Sequence, residues 1–548
     1  MLASTDKELS RYGCWAVTSA SSSDRKTVRS AEIVASLCLA TDLGMGFPFE
    51  HGFHATLMAM RLADLVGVDQ EMTRHTYYAC LMTYVGCTTD AYAGTRIFGG
   101  LQTENFIPHL FGSRVEAARG ALRALPPPER RGVRRVYETA RRIPGLLAEN
   151  LNHQRSLCEV AEMMSRRLGL PEGFVEMFYF FTDRWDGRGL LGRAEGDEIP
   201  IPLRLSMVAR DIAYQRLIGG DEHALETVTS RGGRAFDPDV VQVFARHASD
   251  VLEAGEPGEA VWEAVLAAEP KPHLFVDDSG MDDALGAIAD FTDLLTPSLT
   301  GHSSGVAALA AQAAHLAGFG EDEAMNIRRA ALIHDVGRVA VSAAIWEKPE
   351  ALTRDELEQV RLHPYHSERV TARSPYLADL SGMASCHHEH LDGSGYHKGL
   401  TAQTMSHGSR LIAAADTMHA LTEPRAYRDP LGPEDAAQVI VKKANTGLLD
   451  PTMVRAVVEA SGEPPPEVEH PAGLTDREIE VVGLLARGLQ TKQIARHFDV
   501  SPKTVDTHIQ AAYRKIGVST RAAATLYAME HGLIASRDFP VLSRDVSS

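Results

Sequence analysis

Apolar residues recur every three or four positions along nearly the whole chain, the spacing that places them on one face of an α-helix. Alternating runs of Val, Ile and Thr, which are typical of half-buried strands, are scarce. Two segments rich in proline and acidic residues, 269–280 and 461–472, interrupt this pattern and are predicted to be linkers, because proline removes a helical hydrogen-bond donor. The pattern predicts an all-α protein in three parts: 1–268, 281–460 and 473–540.

The composition narrows the class of protein. Of 548 residues, 44% are hydrophobic, which is enough to bury several cores and excludes a mainly disordered chain. No apolar run reaches the ~18 residues of a membrane span, and residues 1–13 lack the order of charge and apolarity of a signal peptide. Six scattered cysteines without a Cys-x-x-Cys pair favour a reducing compartment. We expect a cytoplasmic protein with no membrane segment.

The charge is unevenly distributed. The formal net charge is −18, which taken alone argues against binding to a polyanion such as DNA. Residues 471–540, however, contain nine basic and seven acidic side chains, so the acidity belongs to the first two parts of the chain. The acidic balance therefore does not exclude a DNA-binding tail, although it predicts modest affinity that benefits from dimerisation.

An internal repeat links the first two parts. A shift of 251 positions aligns residues 51–87 with 302–338 without a gap, and a shift of 206 aligns 186–189 with 392–395. Matched glycines and an Asp-Gly-x-Gly segment in the same order carry more weight than scattered alanine identities. The change of shift means that the first copy contains about 45 extra residues, around 99–145.

The second copy concentrates histidine and aspartate in an order suited to metal binding. Imidazoles and carboxylates together are typical ligands of Fe, Mn, Zn or Ni rather than of Ca or Mg. A single histidine would as often be a solvated or capping residue, so the prediction depends on the whole set. Seven ligands are too many for one ion and suit two ions that share a carboxylate. The candidate ligands are His302, His334, Asp335, His363, His387, His388 and Asp416.

The segments 331–338 and 387–396, with their His-Asp and Gly-Ser-Gly-Tyr motifs, closely resemble the HD-GYP phosphodiesterases, a branch of the HD metallohydrolase superfamily. The resemblance extends over about 290–427 and implies an HD-type helical bundle in each copy. It also implies that Asp335 bridges two divalent metal ions, most readily Fe or Mn, with Zn or Ni as alternatives. The implied shells are His302, His334 and Asp416 for one ion, and His363, His387 and His388 for the other.

Two bound cations would activate a water molecule and stabilise the charge of a phosphoryl displacement, so no protein nucleophile is needed. The resemblance implies a cyclic dinucleotide as substrate, with cyclic di-GMP first and another phosphate ester as an open alternative. It assigns Asp335 and Arg338 to catalysis. For substrate binding the candidates are Arg338, Tyr396, Arg425 and Arg428, although Arg425 and Arg428 are equally well explained as solvated surface residues.

The sequence departs from the family pattern at three places, one of which is the segment 423–428, where the proline lies outside its usual position. His397 stands where the family has a proline, which removes a fixed φ angle from the substrate loop. Ser298 occupies the position where members with a third metal carry glutamate, so two metals are expected. A regulator that senses a nucleotide at this site without hydrolysing it remains the main alternative to an enzyme.

The first copy keeps only one of the predicted ligands, His51. The repeat aligns the others with residues that do not bind metals: Thr83, Tyr84, Leu157, Phe181, Thr182 and Arg210. We therefore predict that residues 1–268 form a degenerate, non-catalytic HD-like domain. It either packs against the second copy or another subunit, or binds a regulatory ligand in the vacated pocket.

The tail carries the signals of a DNA-binding domain. Thr475 with Glu478 predicts a capping box, and Ser501-Pro502 predicts the start of a further helix. In that helix an apolar stripe faces inward, formed by Val505, Ile509, Ala512 and Ile516, and a polar, basic face remains for a major groove. The segment 472–535 closely resembles the LuxR-type helix-turn-helix, which implies double-stranded DNA as partner and a homodimer through helix 521–532. The implied DNA contacts are Lys492, Lys503, Thr504, Thr507, Gln510 and Arg514.

Overall fold

The computed structural model describes residues 27–89, 111–112, 137, 155–189, 191–256, 258–465, 471–531 and 533, and within them the protein is almost entirely helical, which confirms the all-α prediction. Residues 1–26, most of the predicted insertion at 99–145 and the end of the predicted tail after 533 lie outside the described residues. None of the helices described has the length and apolar character needed to cross a bilayer.

The N-terminal module is a bundle of helices closed by a short strand, β1 (Thr27–Arg29). Residues 155–167 are helical, and 3₁₀ turns lie at Glu176–Phe180, Gly196–Glu198 and Gly258–Ala260. The long helix α6 is kinked at Gly220, where φ is 79°. The helices are α1 (Ser30–Met45), α2 (His51–Val66), α3 (Gln70–Leu81), α4 (Val85–Thr89), α5 (Glu172–Val175), α6 (Ile201–Arg231), α7 (Pro238–Arg246), α8 (Ala248–Ala254) and α9 (Val261–Ala267).

The second module and the tail complete the chain. Two 3₁₀ turns, Pro297–Leu299 and Val336–Ala340, belong to the second module, and a third, Pro471–Gly473, precedes the tail. The second module contains β2 (Phe275–Asp277), α10 (Asp278–Asp293), α11 (His302–Leu316), α12 (Glu321–Ile333), α13 (Ala343–Trp346), α14 (Arg354–Arg361), α15 (His363–Thr371), α16 (Pro375–Ala384), α17 (His407–Thr422), α18 (Pro433–Asn445) and α19 (Pro451–Ala460). The tail contains α20 (Asp476–Ala486), α21 (Thr491–His497), α22 (Pro502–Ile516) and α23 (Arg521–Glu530).

The segment 269–280, predicted to be a linker, is integrated into the fold. Its strand β2 pairs antiparallel with β1, and α10 begins inside it at Asp278. The carboxylate of Glu269 is buried, pairs with Arg29 and accepts a hydrogen bond of 2.7 Å from Tyr78 Oη. The prolines correctly indicate a break in the helical pattern, but a three-residue strand leaves no periodic signal. The divisions at 268 and 281 remain predictions.

The two modules pack against each other close to the predicted metal ligands. Helix α1 lies against the 3₁₀ turn Val336–Ala340 and against α15. At the edge of this contact the ring centroid of Phe49 lies 3.9 Å from Arg369 Cζ, and Glu50 pairs with Arg373 at 2.8 Å. One continuous hydrophobic core draws residues from both modules, whereas the tail has clusters of its own.

Equivalent contacts in the two modules support the repeat at the level of side chains. Asp42 accepts a hydrogen bond from Gly52 N at 2.9 Å, and Asp293, 251 positions later, accepts one from Ser303 N at 2.7 Å. Each bond ties the start of the histidine-bearing helix to the helix before it. These carboxylates were not singled out from the sequence, although the shift of 251 aligns them.

The second shift of the repeat is supported in the same way. Arg204 donates to Asp237 at 2.9 Å and to a backbone carbonyl five residues upstream, and Arg410 does the same with Asp450 at 2.9 Å. In each case the aspartate caps the helix that follows. The matched arginines therefore hold the bundle together rather than bind a ligand.

Candidate metal centre and DNA-binding surface

The structure brings the seven predicted metal ligands together from five parts of the second module. They lie at the starts of α11 and α15, directly after α12, three and four residues after α16, and in α17. Six of them are buried and His388 is half-buried. Helix ends dominate because a side chain at a helix terminus can point across the bundle, while the apolar interior of each helix packs in the core.

Asp335 is the centre of this cluster. Its Oδ2 lies 3.0 Å from His334 Nε2 and 3.4 Å from His302 Nε2. Its Oδ1 lies 3.2 Å from the Nε2 atoms of both His363 and His387. Each carboxylate oxygen therefore faces two imidazoles, which is the arrangement expected of a carboxylate shared by two cations.

The backbone orients three of these imidazoles. The Nδ1 atoms of His334, His363 and His387 each lie 2.6–2.8 Å from the carbonyl oxygen of the residue three positions earlier. A proton on Nδ1 satisfies that carbonyl and leaves the Nε2 lone pair directed at Asp335, which is how proteins commonly present histidine to a metal. The sequence places each histidine one turn after the carbonyl that holds it.

The donor set fits divalent transition-metal ions. Among the described residues, His334 Nε2 and both oxygens of Asp335 have close charged neighbours but no partner with hydrogen-bond geometry, and buried polar atoms of this kind are normally satisfied by a partner. Two groups of three ligands, His302 with His334 and Asp335, and His363 with His387 and His388, each have their donor atoms within 4.8 Å of one another. Asp416 adds a carboxylate 3.2 Å from His302 Nε2.

The two groups differ in charge. Burial lowers the pKa of His302, but hydrogen bonds to three carboxylates outweigh burial and raise it to about 10. Burial also lowers the pKa of His334, but the carboxylates of Asp335 and Asp416 outweigh burial and raise it to about 9. On the other side burial dominates and lowers the pKa of His363 to about 4. One half of the centre is thus acidic and attracts positive charge, while the other offers neutral imidazoles whose lone pairs are available to a cation.

Sequence reasoning missed two residues of the centre, Glu423 and His419. His302 Nδ1 lies 2.7 Å from Glu423 Oε2, and His419 Nδ1 lies 3.1 Å from Glu423 Oε1. Asp416, His419 and Glu423 are spaced by three and four residues at the end of α17, which is the spacing of one helix face. That periodicity is visible in the sequence and would have identified both residues.

We expect Glu423→Gln to weaken metal binding by about 10–100-fold, the usual effect of losing a carboxylate that orients a metal-bound histidine. Glutamine keeps the length of the side chain but removes the charge that holds His302 Nδ1. Isothermal titration calorimetry of the metal-free protein with Mn²⁺ measures the change in metal affinity. Glu434→Gln, an exposed first-turn residue of α18, is the matched control and should bind metal as the wild type does.

The predicted substrate-binding residues occupy different surroundings. Arg338 Nη2 lies 2.7 Å from Asp335 Oδ2, and its buried Nε and Nη1 make no hydrogen bond within the described residues. The ring of Tyr396 lies 4.8 Å from that of His388, centroid to centroid. Arg338 thus has donors available to an anion beside the metal ligands, and Tyr396 provides an aromatic face there.

Arg425 and Arg428 are both engaged by the protein. Arg425 Nη2 donates to Glu423 Oε2 at 2.9 Å, so this residue belongs to the network around His302. Arg428 donates to the carbonyl oxygens of Ala420 and Leu421 at 2.7 and 2.8 Å, which satisfies the end of α17. Substrate binding remains a prediction for both, and the contacts of Arg428 give it a structural role instead.

The N-terminal module has no comparable metal centre among its described residues. His51 is packed against Phe47, with ring centroids 4.7 Å apart, and Phe47 contacts the rings of Tyr84 and Tyr214. Arg210 is almost completely buried, with its Cζ 4.3 Å from the centroid of the Tyr84 ring. Aromatic side chains and a guanidinium group therefore occupy the pocket where the second module holds its ligands.

The tail has the two helix starts and the apolar stripe predicted for it. Thr475 and Glu478 form the capping box, and Ser501 Oγ accepts a hydrogen bond of 3.1 Å from Thr504 N. On α22 the predicted inward residues Val505, Ile509 and Ala512 are buried, and Ile516 is half-buried. All six predicted DNA contacts are exposed: Lys492, Lys503, Thr504, Thr507, Gln510 and Arg514.

Two parts of the chain match known protein families. Residues 287–453 match the HD domain, and residues 472–528 match the bacterial regulatory proteins of the luxR family. Both matches lie where the sequence motifs indicated them.

Several curated proteins are similar to the chain. The 3'3'-cGAMP-specific phosphodiesterase 3 of Vibrio cholerae is 25% identical over 449 residues, which cover 80% of this chain and 95% of the relative. A cyclic di-GMP phosphodiesterase of Thermotoga maritima is 30% identical over 183 residues, or 33% of this chain and 49% of the relative.

A solved structure is similar in fold. The crystal structure of a cyclic GMP-AMP specific phosphodiesterase of V. cholerae has a TM-score of 0.54 at 22% identity and covers 80% of this chain and 98% of that one. The similarity in fold therefore extends well beyond the HD domain.

Proposed function

We propose that the chain hydrolyses a cyclic dinucleotide and binds DNA. The premise is that it is a homologue of the HD-GYP cyclic-nucleotide phosphodiesterases, with an HD domain and a C-terminal LuxR-type DNA-binding domain. The hydrolytic site is the cluster around Asp335. The single observation that supports this most strongly is the approach of four imidazole Nε2 atoms to the two oxygens of one buried carboxylate.

The residues of the centre form two sets of metal ligands that share one carboxylate. Asp335 would be shared by two metal ions, His302, His334 and Asp416 would hold one of them, and His363, His387 and His388 would hold the other. The metal ions, when bound, supply a Lewis acid for the phosphoryl oxygens and a deprotonated water at neutral pH. We propose Fe or Mn as the bound divalent metals.

Arg338 is suited to bind a phosphate oxygen of the substrate. Its Nε and Nη1 atoms are buried and unpaired in the described part of the chain, while Nη2 is fixed by Asp335. A guanidinium group held in this way presents planar donors to an oxyanion and cannot lose its charge. The Tyr396 ring, close to His388, is placed to stack on a base.

The substrate has two candidates, and both contain guanosine. The family motifs predict cyclic di-GMP, the substrate named for the relative from T. maritima. The relative that spans both modules is named for 3'3'-cGAMP, and its coverage of 95% favours that nucleotide as the second candidate. We therefore propose a 3'3'-linked cyclic dinucleotide with at least one guanine.

The comparison of kcat/KM for the two nucleotides tests this proposal. Purified full-length protein loaded with Mn²⁺ or Fe²⁺ is incubated with each nucleotide, and the products are separated by chromatography. We expect a linear dinucleotide from at least one of them, and the ratio of kcat/KM identifies the preferred substrate. Hydrolysis of a simple diester such as bis-p-nitrophenyl phosphate, without hydrolysis of either nucleotide, would contradict the proposed substrate class.

We further propose that occupancy of the metal centre changes the affinity of the tail for DNA. The two functions are present in one chain, and a homodimer through α23 would supply two half-site contacts. DNA affinity measured with and without a saturating cyclic dinucleotide checks the coupling. Equal affinity for DNA in both conditions would contradict the coupling but would not affect the proposal of hydrolysis.

The double variant Lys503→Ala, Arg514→Ala should weaken DNA binding and reduce the salt dependence of log K by about 2, one unit for each lost phosphate contact. Both side chains are exposed on α22 and leave its buried stripe intact. Fluorescence anisotropy across a salt series, with a duplex selected on the wild-type protein, measures both effects. Arg354→Ala, an exposed arginine of α14, is the control and should leave the salt slope unchanged.

A further inference from the structure

The pocket of the N-terminal module contains a buried positive charge that the proposed hydrolysis does not use. Arg210 is 1% exposed, and its Nε, Nη1 and Nη2 atoms form no hydrogen bond with any residue that the structure describes. Its guanidinium group rests on the ring of Tyr84, with Cζ 4.3 Å from the ring centroid. Buried charges are normally paired, because removing an ion from water without compensation is costly.

The repeat places Arg210 at a position that carries a metal ligand in the second module. By the shift of 206 it stands where the second module has Asp416, one of the acidic residues that face the metal ligands. His51, the counterpart of His302, is also buried, and its Nε2 makes no hydrogen bond within the described residues. The second module surrounds its centre with carboxylates suited to cations, whereas the first presents a cation and an imidazole.

Asp42 is a buried acid whose charge acts on Arg210, but it makes no hydrogen bond with the guanidinium group. Asp42 uses its carboxylate to accept hydrogen bonds of 2.9 and 3.2 Å from Gly52 N. Burial raises the pKa of Asp42 to about 7, although the charge of Arg210 opposes this. Burial, followed by Arg210, lowers the pKa of His51 to about 3, so its imidazole is neutral and can donate a proton from Nε2. Among the residues that the structure describes, the donors of Arg210 and His51 therefore have no acceptor.

We propose that the pocket formed by Arg210, His51 and Tyr84, here called the pseudo-site, binds an oxyanion of the phosphate class. Guanidinium donors form paired hydrogen bonds with the oxygens of phosphate, and the neutral imidazole adds a third donor. The phosphate can be free or belong to a nucleotide, since the same donors recognise both. The burial of the pseudo-site matches that of the metal centre, where His302 and Asp335 are equally inaccessible.

Calorimetric titration of the full-length Asp335→Asn variant, freed of metal with a chelator, tests this proposal in a chain without bound metal ions, and the Arg210 substitutions below distinguish binding at the pseudo-site from binding at Arg338 of the second module. Inorganic phosphate and a linear dinucleotide with a 5'-phosphate are the two probes. We expect one binding site per chain for at least one probe. Phosphate binding identifies a free anion as the ligand, and binding of the dinucleotide alone identifies a nucleotide.

Substitutions on α6 assign the binding to Arg210. Added to Asp335→Asn, Arg210→Met should abolish binding, and Arg210→Lys should weaken it at least about tenfold, because an ammonium group lacks the paired donors. Arg216→Met, which removes a partly exposed arginine of the same helix, should leave it unchanged. Absence of binding by both probes to Asp335→Asn overturns the proposal even where Arg210→Met fails to fold. Equal binding by a folded Arg210→Met variant overturns it as well, and neither result bears on hydrolysis by the wild type.

Discussion

Asp335→Asn is expected to abolish cyclic-dinucleotide hydrolysis, with a loss of at least about a thousandfold in kcat, because two metal ions stabilise the transition state by several kcal/mol. Asparagine has the shape of aspartate but no charge, so it cannot bridge two cations. The imidazoles of both ligand groups face Asp335, and thus both ions should bind more weakly. Chromatography of the products and metal analysis of the same sample measure the two effects.

Asp379→Asn is the matched control for this substitution. Asp379 is an exposed residue of α16 in the same module, and its loss should change neither the metal content nor the rate. Circular dichroism establishes that both variants are folded, which matters because Arg338 loses its partner when Asp335 is neutralised. A folded Asp335→Asn protein with more than a tenth of the wild-type rate would show that this carboxylate is not the shared ligand.

Gly337→Ala is expected to have the second largest effect. A Cβ atom at this position would lie 2.1 Å from His363 O and 2.3 Å from Ser367 N, both backbone atoms of α15. The 3₁₀ turn after Asp335 and the helix that begins with His363 would have to separate. We expect a loss of about 3 kcal/mol in the free energy of unfolding, as for other overpacked sites. Activity should fall about a hundredfold, because small displacements of catalytic groups are costly.

Gly382→Ala separates this steric effect from a general effect of adding a methyl group. Gly382 lies in α16, and a Cβ atom there meets nothing within 4 Å. Alanine in a helix is favoured over glycine by about 1 kcal/mol, so this variant should be at least as stable as the wild type and fully active. Thermal unfolding and a rate assay on both variants provide the comparison, and a fully active Gly337→Ala protein would refute the steric argument.

The fold class and the ligand set were accessible from the sequence because each left a regular signal. Helical periodicity extends over most of the chain, and the histidines and aspartates of the centre include two adjacent pairs that follow helices, with most of the other members at helix starts. The capping box at Thr475 and the buried stripe of α22 follow from local rules that tertiary contacts did not override.

Other features depend on contacts between distant residues and left weaker signals. The pairing of β1 with β2 joins residues about 250 positions apart, and each strand has only three residues. Glu423 lies within the segment 290–427 that resembles the family, but its role depends on the distance of 2.7 Å to His302, at the start of another helix. Arg428 is predicted from its motif position to bind substrate, and the sequence did not indicate that its side chain also satisfies carbonyl oxygens at the end of α17.

The comparison of the two modules separates the requirements of the fold from those of the chemistry. Both keep the carboxylate that holds the start of the histidine-bearing helix, and both keep an arginine bound to a helix-capping aspartate. The close approach of Gly86 to Leu157 corresponds to that of Gly337 to His363. The N-terminal module has therefore kept the packing of the bundle and replaced the ligands.

The most direct test of a two-metal hydrolase is to measure metal content and turnover on one sample of the wild-type protein. The full-length chain is loaded anaerobically with Fe²⁺ or Mn²⁺, its bound metal is determined, and cyclic di-GMP and 3'3'-cGAMP are each added in excess. We predict about two metal ions per chain, as expected of a shared carboxylate, and conversion of at least one nucleotide to its linear form. Two bound ions with both nucleotides intact would contradict hydrolysis and indicate a sensor.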